Sequence, residues 1–580
     1  MQYAKLSAGL VAILDDFQTS GAARLLIQPR SLPLAAMPGG GPPAVRVFMR
    51  CTEDASFEHL PGIRVHQSKG EIRTAQIPLD RLDELSEQAT VFRLSPSTVL
   101  WPLLDVATPK VGVVQFKNTS GMTGRDVIVG IVDSGIDVNH AAFTGRILSI
   151  WDQTISGIGW GTTTYGTVLS GSTLGVSFDT NGHGTHVTGI AAGNDATYRG
   201  IAHEANLIIV KTDFNTTSIG DGIRYVFAEA TKLGRPAVVN LSLGAHWDAH
   251  DGSDDLSALI DQESGTGRIV VAAAGNEGTD PIHSEVTIAA GATVDLPFQV
   301  APNSTGNSPP WVVLNGWYDG TGSCEVGIRT SSGDVTPWQA VIVSGSPSRN
   351  YSFPNALVQI TTPPPTATPN SDHQFLIELF PGVFRPVVQG GIWRLRLHNI
   401  GTTSVRVNVW SIVPAGSADA AFQGTALTPG LRIGSPGAAA EAVTVAAYTT
   451  RNRWQDVTGV PRAVGLTIDD LADFSSPGPL RNGNPKPDVT APGAMIVSCL
   501  SAASTPPTSD IVTTGFRVNA GTSMASPFIA GIVALLLQRD PQLKPTDIKT
   551  LLRRHSTIPG KPSGTFDVHW GFGLIEATNL

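Results

Sequence analysis

The chain has 580 residues, enough for about three to five domain-sized units. Apolar residues make up 41% and charged residues 15%, which excludes wholesale disorder; 62 glycines and 41 prolines imply many turns. A net charge of −9 excludes the basic surface of a nucleic-acid binder.

Residues 7–18 read as a short amphipathic helix. Its apolar stretch ends at Asp15 and Asp16 with no small-residue cleavage site, a poor signal peptide. No apolar run approaches the ~18 residues of a membrane span. Residues 37–43, MPGGGPP, read as a linker. Strands are predicted at 44–50, 63–66, 72–77 and 90–94, helices at 53–60 and 79–89, and a turn at Lys69-Gly70. The order β-α-β-β-α-β is that of a ferredoxin-like fold.

From about residue 116 the texture changes. Continuous apolar runs at 127–132, 207–210, 237–241 and 269–272 read as buried parallel strands, with helical patterns at 186–193 and 219–233. Residues 279–432 contain no lysine and only 16 charged residues, and short alternating strands (311–314, 374–379, 393–397, 405–410) predict a β-sandwich or jelly roll. The α/β texture resumes at 442–447. Cys51, Cys324 and Cys499 are far apart with no CxxC pair, so they read as free buried thiols rather than a disulfide framework or zinc site. With no clear signal peptide, this odd count favours the cytoplasm over secretion.

Four segments carry chemistry. Asp133 ends a buried strand in IVDSGID, where α/β sheets place their sites. His183 lies in NGHGTHVTG at the start of a small-residue helix; His186 is three residues on, but no third metal ligand accompanies the pair. Asn276 follows another buried strand in AAGNEG. Ser523 lies in NAGTSMASP ahead of an apolar helix, whose free N–H groups favour a developing negative charge. Pro527 is expected in that helix's first turn, where a missing N–H costs little. Taken singly, each residue also fits a turn or a helix cap.

The order Asp133, His183, Asn276, Ser523 and the wording of the four segments closely resemble the subtilisin-like serine proteases (subtilases, peptidase family S8). Further matching segments are NLSLG at 240–244, FSSPG at 474–478, KPDVTAPG at 486–493 and WGFG at 570–573. The resemblance implies a parallel α/β sheet flanked by helices and a serine endopeptidase. Ser523 would be the nucleophile, His183 the base, Asp133 its orienting carboxylate, and Asn276 with the Ser523 N–H the oxyanion donors. A protein or peptide substrate would lie along Ser242, Leu243 and Gly244, with Ala274 and Gly275 beside the P1 side chain. Small apolar walls suggest a large apolar P1. His186 would be structural.

The calcium-binding loop that secreted subtilisins carry inside the helix after His183 is absent from this sequence. Asn194 and Asp195 offer only two ligand oxygens, so no metal or other cofactor is expected. Expected units are an N-terminal extension and linker (1–43), a pro-domain-like α+β unit with junction (44–115), a first catalytic piece (116–278), an inserted β-sandwich (279–432) and a second catalytic piece (433–580). That organisation resembles the clostridial spore-germination subtilases. The pro-domain would be an intramolecular inhibitor removed by self-cleavage, and no membrane or nucleic-acid partner is expected. The competing reading is an autoinhibited pseudoprotease whose β insert binds a partner.

Overall fold

The structure, a computed structural model, describes residues 34–35, 42–96 except 58, 59, 61 and 66–71, and 110–580 except 158, 162–164, 301–311, 344–346, 355, 382–387 and 413–419. The predicted 7–18 helix, the Lys69-Gly70 turn and residues 37–41 of the linker lie outside these. The chain separates into two compact units, 1–101 and 102–580.

In the first unit, Ala44–Cys51 pairs with Ile72–Pro78 on one side and Val91–Pro96 on the other, and Arg64–Val65 pairs with Ile72–Pro78, all antiparallel. Taken as first to fourth, the strands run 4-1-3-2 across the sheet, the ferredoxin-like order. A short helix, Leu82–Glu87, buries Leu82 and Leu85 against that sheet's Val47, Met49 and Ile77. The helix predicted at 53–60 is not formed over 53–57, where a turn at Glu53-Asp54 leads into irregular chain.

The second unit is built on a ten-stranded sheet. From one edge it runs Ser556–Thr557, Leu574–Ile575, Val489–Ala494, Val443–Thr449, Arg268–Ala273, Ala237–Leu241, Ile128–Asp133, Asn206–Lys211, Ile147–Asp152 and Thr167–Leu169. The strands from Leu574–Ile575 to Ile147–Asp152 pair in parallel. All six residues of Ile128–Asp133 are buried, as helices on both faces require. Thr522–Arg539 is long and apolar enough to span a bilayer, but it lies in the core, buried over 83% of its length, against the sheet and His183–Ala192.

Between Arg268–Ala273 and Val443–Thr449 the chain forms two antiparallel sheets. One orders His283–Ile288, Val405–Ile412, Val312–Tyr318, His373–Pro381, Ala356–Thr361 and Ser348–Phe353; the other orders Cys324–Arg329, Gly391–Asn399, Thr293–Val300 and Ala420–Phe422. Their facing sides share a core of Phe298, Phe375, Trp393 and Phe422. The six-stranded sheet is also buried on its other face. There Trp317 and Trp410 pack on Ala249, and Arg481 pairs with Asp251 (2.9 Å) and Asp372. This second buried face makes the β insert and the parallel sheet one compact unit. All three cysteines are buried, and burial pushes the Cys324 thiol up to about 12.

Candidate active site

Asp133, Asn276 and the substrate segment all lie at or just beyond the C-terminal ends of adjacent parallel strands, where an α/β sheet exposes its crevice. Asp133 is fully buried; its Oδ1 accepts from Ser134 N–H at 2.7 Å and from His183 Nδ1 at 2.8 Å. That contact puts the proton on Nδ1 and leaves a lone pair on Nε2. The imidazole is 26% exposed. Burial disfavours its charged form, but the Asp133 charge and hydrogen bond, with Asp179 behind, outweigh burial and raise His183 above the usual histidine range.

Asp179 is a buried carboxylate that no sequence motif marks. Its Oδ1 accepts from Ser134 Oγ and Gly182 N–H, and its Oδ2 from Thr185 N–H and Oγ. It thereby ties the strand end that carries Asp133 to the helix start that carries His183. The fit is close: a Cβ on Gly184 would lie 2.3 Å from the Gly135 carbonyl oxygen. His186 turns away, with Nε2 at 3.2 Å from the carbonyls of Ile496 and Arg517. Burial and the nearby Arg517 depress it to about 3, so it stays neutral.

Ser523 is the second residue of the Thr522–Arg539 helix. Its Oγ donates to the Ser242 carbonyl at 3.2 Å rather than to His183. Pro527 is the sixth residue of the helix, beyond the first turn in which it was expected. It therefore leaves the Ser523 carbonyl without its helical donor. Ser242 Oγ supplies the substitute, donating to that carbonyl at 2.8 Å. The Asn276 side chain is fixed by its oxygen, which accepts from Thr522 N–H (2.8 Å) and Thr522 Oγ (3.1 Å). Its NH2 is left to point its protons elsewhere.

A cleft of about 150 Å³ opens beside Ser523 and Asn276. The predicted Ser242, Leu243, Gly244, Ala274 and Gly275 all line it, but so do His246, Glu277 and Arg432. The lining is thus not the apolar one the small walls predicted. Glu277 was visible two residues past Gly275. Arg432 gave no signal, because it lies 155 residues further on and is brought in by the end of the β insert. Burial favours protonated Glu277, but the His246 ring beside it and the hydrogen bonds from Ser476 Oγ and the Asn276 N–H outweigh it and hold the acid below its usual range.

Asp195 closes a turn by accepting from Thr197 and Tyr198 N–H. Among the described residues no group of three or more His, Cys, Asp or Glu is placed to hold a metal.

The sequence profile of the subtilase family matches residues 124–346 and 407–573. Serine protease AprX of Bacillus subtilis (strain 168) is 38% identical over 124 residues, 21% of this chain and 26% of AprX. Subtilisin-like protease 3 of Arthroderma otae is 32% identical over 37% of this chain and 50% of its own. The match thus spans half or less of these two relatives. The extracellular serine proteinase of Thermus sp. (strain Rt41A) is 27% identical over 58% of this chain and 78% of its own. In fold, the chain resembles the Clostridium perfringens CspB protease, with a TM-score of 0.65 and 22% identity over 81% of this chain and 95% of that one.

Proposed function

This chain belongs to the subtilase family, and on that premise we propose that it is a serine endopeptidase acting through Asp133, His183 and Ser523. The observation that carries the reading is the 2.8 Å contact of His183 Nδ1 with fully buried Asp133, which frees Nε2 to act as a base. Ser523 Oγ leaves the Ser242 carbonyl for His183 Nε2, gives up its proton there and attacks the scissile carbonyl. Asp133 holds the ring and stabilises the imidazolium. The oxyanion is met by the Asn276 amide N–H and the Ser523 backbone N–H at the helix N-terminus. His183 then protonates the leaving amine, and water, deprotonated by the same base, hydrolyses the acyl-enzyme.

Residues 44–96 are proposed to act as a pro-domain, and the protein as a zymogen that cuts its own chain before the catalytic domain. Their ferredoxin-like strand order supports this. The test is a fluorophosphonate probe with intact-mass analysis of wild type and Ser523→Ala. Labelling and any self-cleavage are expected in wild type alone. Hydrolysis by Ser523→Ala refutes the nucleophile, and a cut present in both proteins refutes autoprocessing. Absence of labelling favours the pseudoprotease.

A further inference from the structure

The cleft beside Ser523 has a polar lining whose charges balance. Arg432 is only 4% exposed. Its Nη1 donates to the carbonyls of Glu277 (3.0 Å) and Gly278, but its buried Nε has no acceptor among the described residues. Glu277 supplies the opposite charge. Its contacts with Asn276 N–H (2.8 Å), Ser476 Oγ (2.8 Å) and His246 Nε2 (3.6 Å) all fall on Oε2. Gly275 permits this approach, since a Cβ there would lie 2.6 Å from Glu277 Oε2.

The β insert holds this lining in place. Asn315 Nδ2 donates to the carbonyls of His246 (3.2 Å) and Asp248 (3.3 Å). Trp410 stacks on His250 with centroids 3.8 Å apart and planes 2° from parallel, and its Nε1 donates to the carbonyl of Leu431, the neighbour of Arg432. His250 Nδ1 faces the Asp248 carbonyl at 3.2 Å, which makes it a donor and leaves Nε2 to accept from His246 Nδ1 at 2.8 Å. The His246 ring is thus oriented with Nε2 toward Glu277. A polar lining fixed from outside in this way is preorganised rather than adaptable.

Such a pocket penalises most side chains. Lysine or arginine gains Glu277 but is opposed by Arg432, and aspartate or glutamate gains Arg432 but is opposed by Glu277, so a net charge leaves one of the two unmatched. An aliphatic or aromatic group displaces water from both without replacing its hydrogen bonds. A carboxamide offers a carbonyl to the guanidinium and an NH2 to the carboxylate. We propose that this subsite selects an uncharged P1 side chain that both donates and accepts, glutamine or asparagine, with Arg432 and Glu277 as specificity-determining residues. The proposal rests on Ser523 being the nucleophile, and its test separates the two.

Wild-type enzyme, its active sites counted with a fluorophosphonate probe, is given peptide libraries fixed at P1 as Gln, Asn, Leu, Phe, Lys or Glu and degenerate elsewhere. Cleavage after Gln or Asn at least about tenfold above the other four, in kcat/KM per labelled site, is expected, the scale of discrimination by buried hydrogen-bonding groups. Glu277→Gln removes the negative charge and should raise cleavage after Glu relative to Gln at least about threefold, a ratio that general loss of structure does not move. Labelled enzyme that cleaves after Leu or Phe as well as after Gln overturns the subsite and leaves the nucleophile standing. Enzyme whose Ser523 is not labelled overturns both.

Discussion

Each residue of the site owes its role to a neighbour that limits its freedom. Asn276 can present its NH2 only because Thr522 occupies its oxygen. Asn276→Leu should therefore lower kcat by about 10²–10³-fold with little change in KM, as expected for an oxyanion amide, in steady-state assays. The proposed base, His183, can accept a proton only when neutral, and Asp133 raises its affinity for protons. As pH falls, activity should thus begin to drop earlier than for an ordinary histidine. The acid limb of kcat/KM should have its midpoint above the unperturbed ~6.5; a midpoint at or below that value contradicts the geometry. Asp179→Ala strips acceptors from four buried donors. It should cost at least about 3 kcal/mol in urea unfolding, since each orphaned donor is worth roughly 1–3 kcal/mol.

At the scale of the element, the Thr522–Arg539 helix carries a proline that a sequence reading puts at its start and the structure puts in its sixth position. The helix tolerates it because Ser242, from the strand-end segment opposite, donates to the exposed carbonyl. Ser242→Ala should cost about 1–3 kcal/mol in chemical denaturation and also lower kcat, because the freed carbonyl belongs to Ser523, the proposed nucleophile. The parallel strands were legible because runs such as 127–132 and 269–272 are apolar on both faces. Asp133, His183, Asn276 and Ser523 were legible because each sits in a short segment at an element's end. The helix expected at 53–60 does not form over 53–57, where irregular chain buries Ala55 and Phe57 without a helical face. Asp179 stood four residues before His183, but a buried carboxylate that only accepts hydrogen bonds has no spacing signature. Arg432 belongs to the same pocket as Gly275 through tertiary folding alone.

At the scale of the whole molecule, the β insert is braced to the parallel sheet by a buried cation. Arg481 serves Asp251, Asp372 and the Ala249 carbonyl at once. Arg481→Leu leaves two largely buried carboxylates unpaired and should cost about 3–5 kcal/mol, measured by denaturant unfolding at pH 7. Trp410 has the same standing on the apolar side, with its stack on His250. The insert also bears on how the chain can fold at all. Its first strand pairs with Val405–Ile412, and Thr428 N–H donates to the His283 carbonyl at 3.0 Å, so an insert that folds by itself brings its first and last segments side by side. Val443–Thr449 can then find Arg268–Ala273 as if the intervening residues were a short loop, which lowers the entropy of closing the sheet. Until that closure, Asn276 and Ser523 are not held side by side, so a chain still emerging from the ribosome has not yet assembled the proposed site.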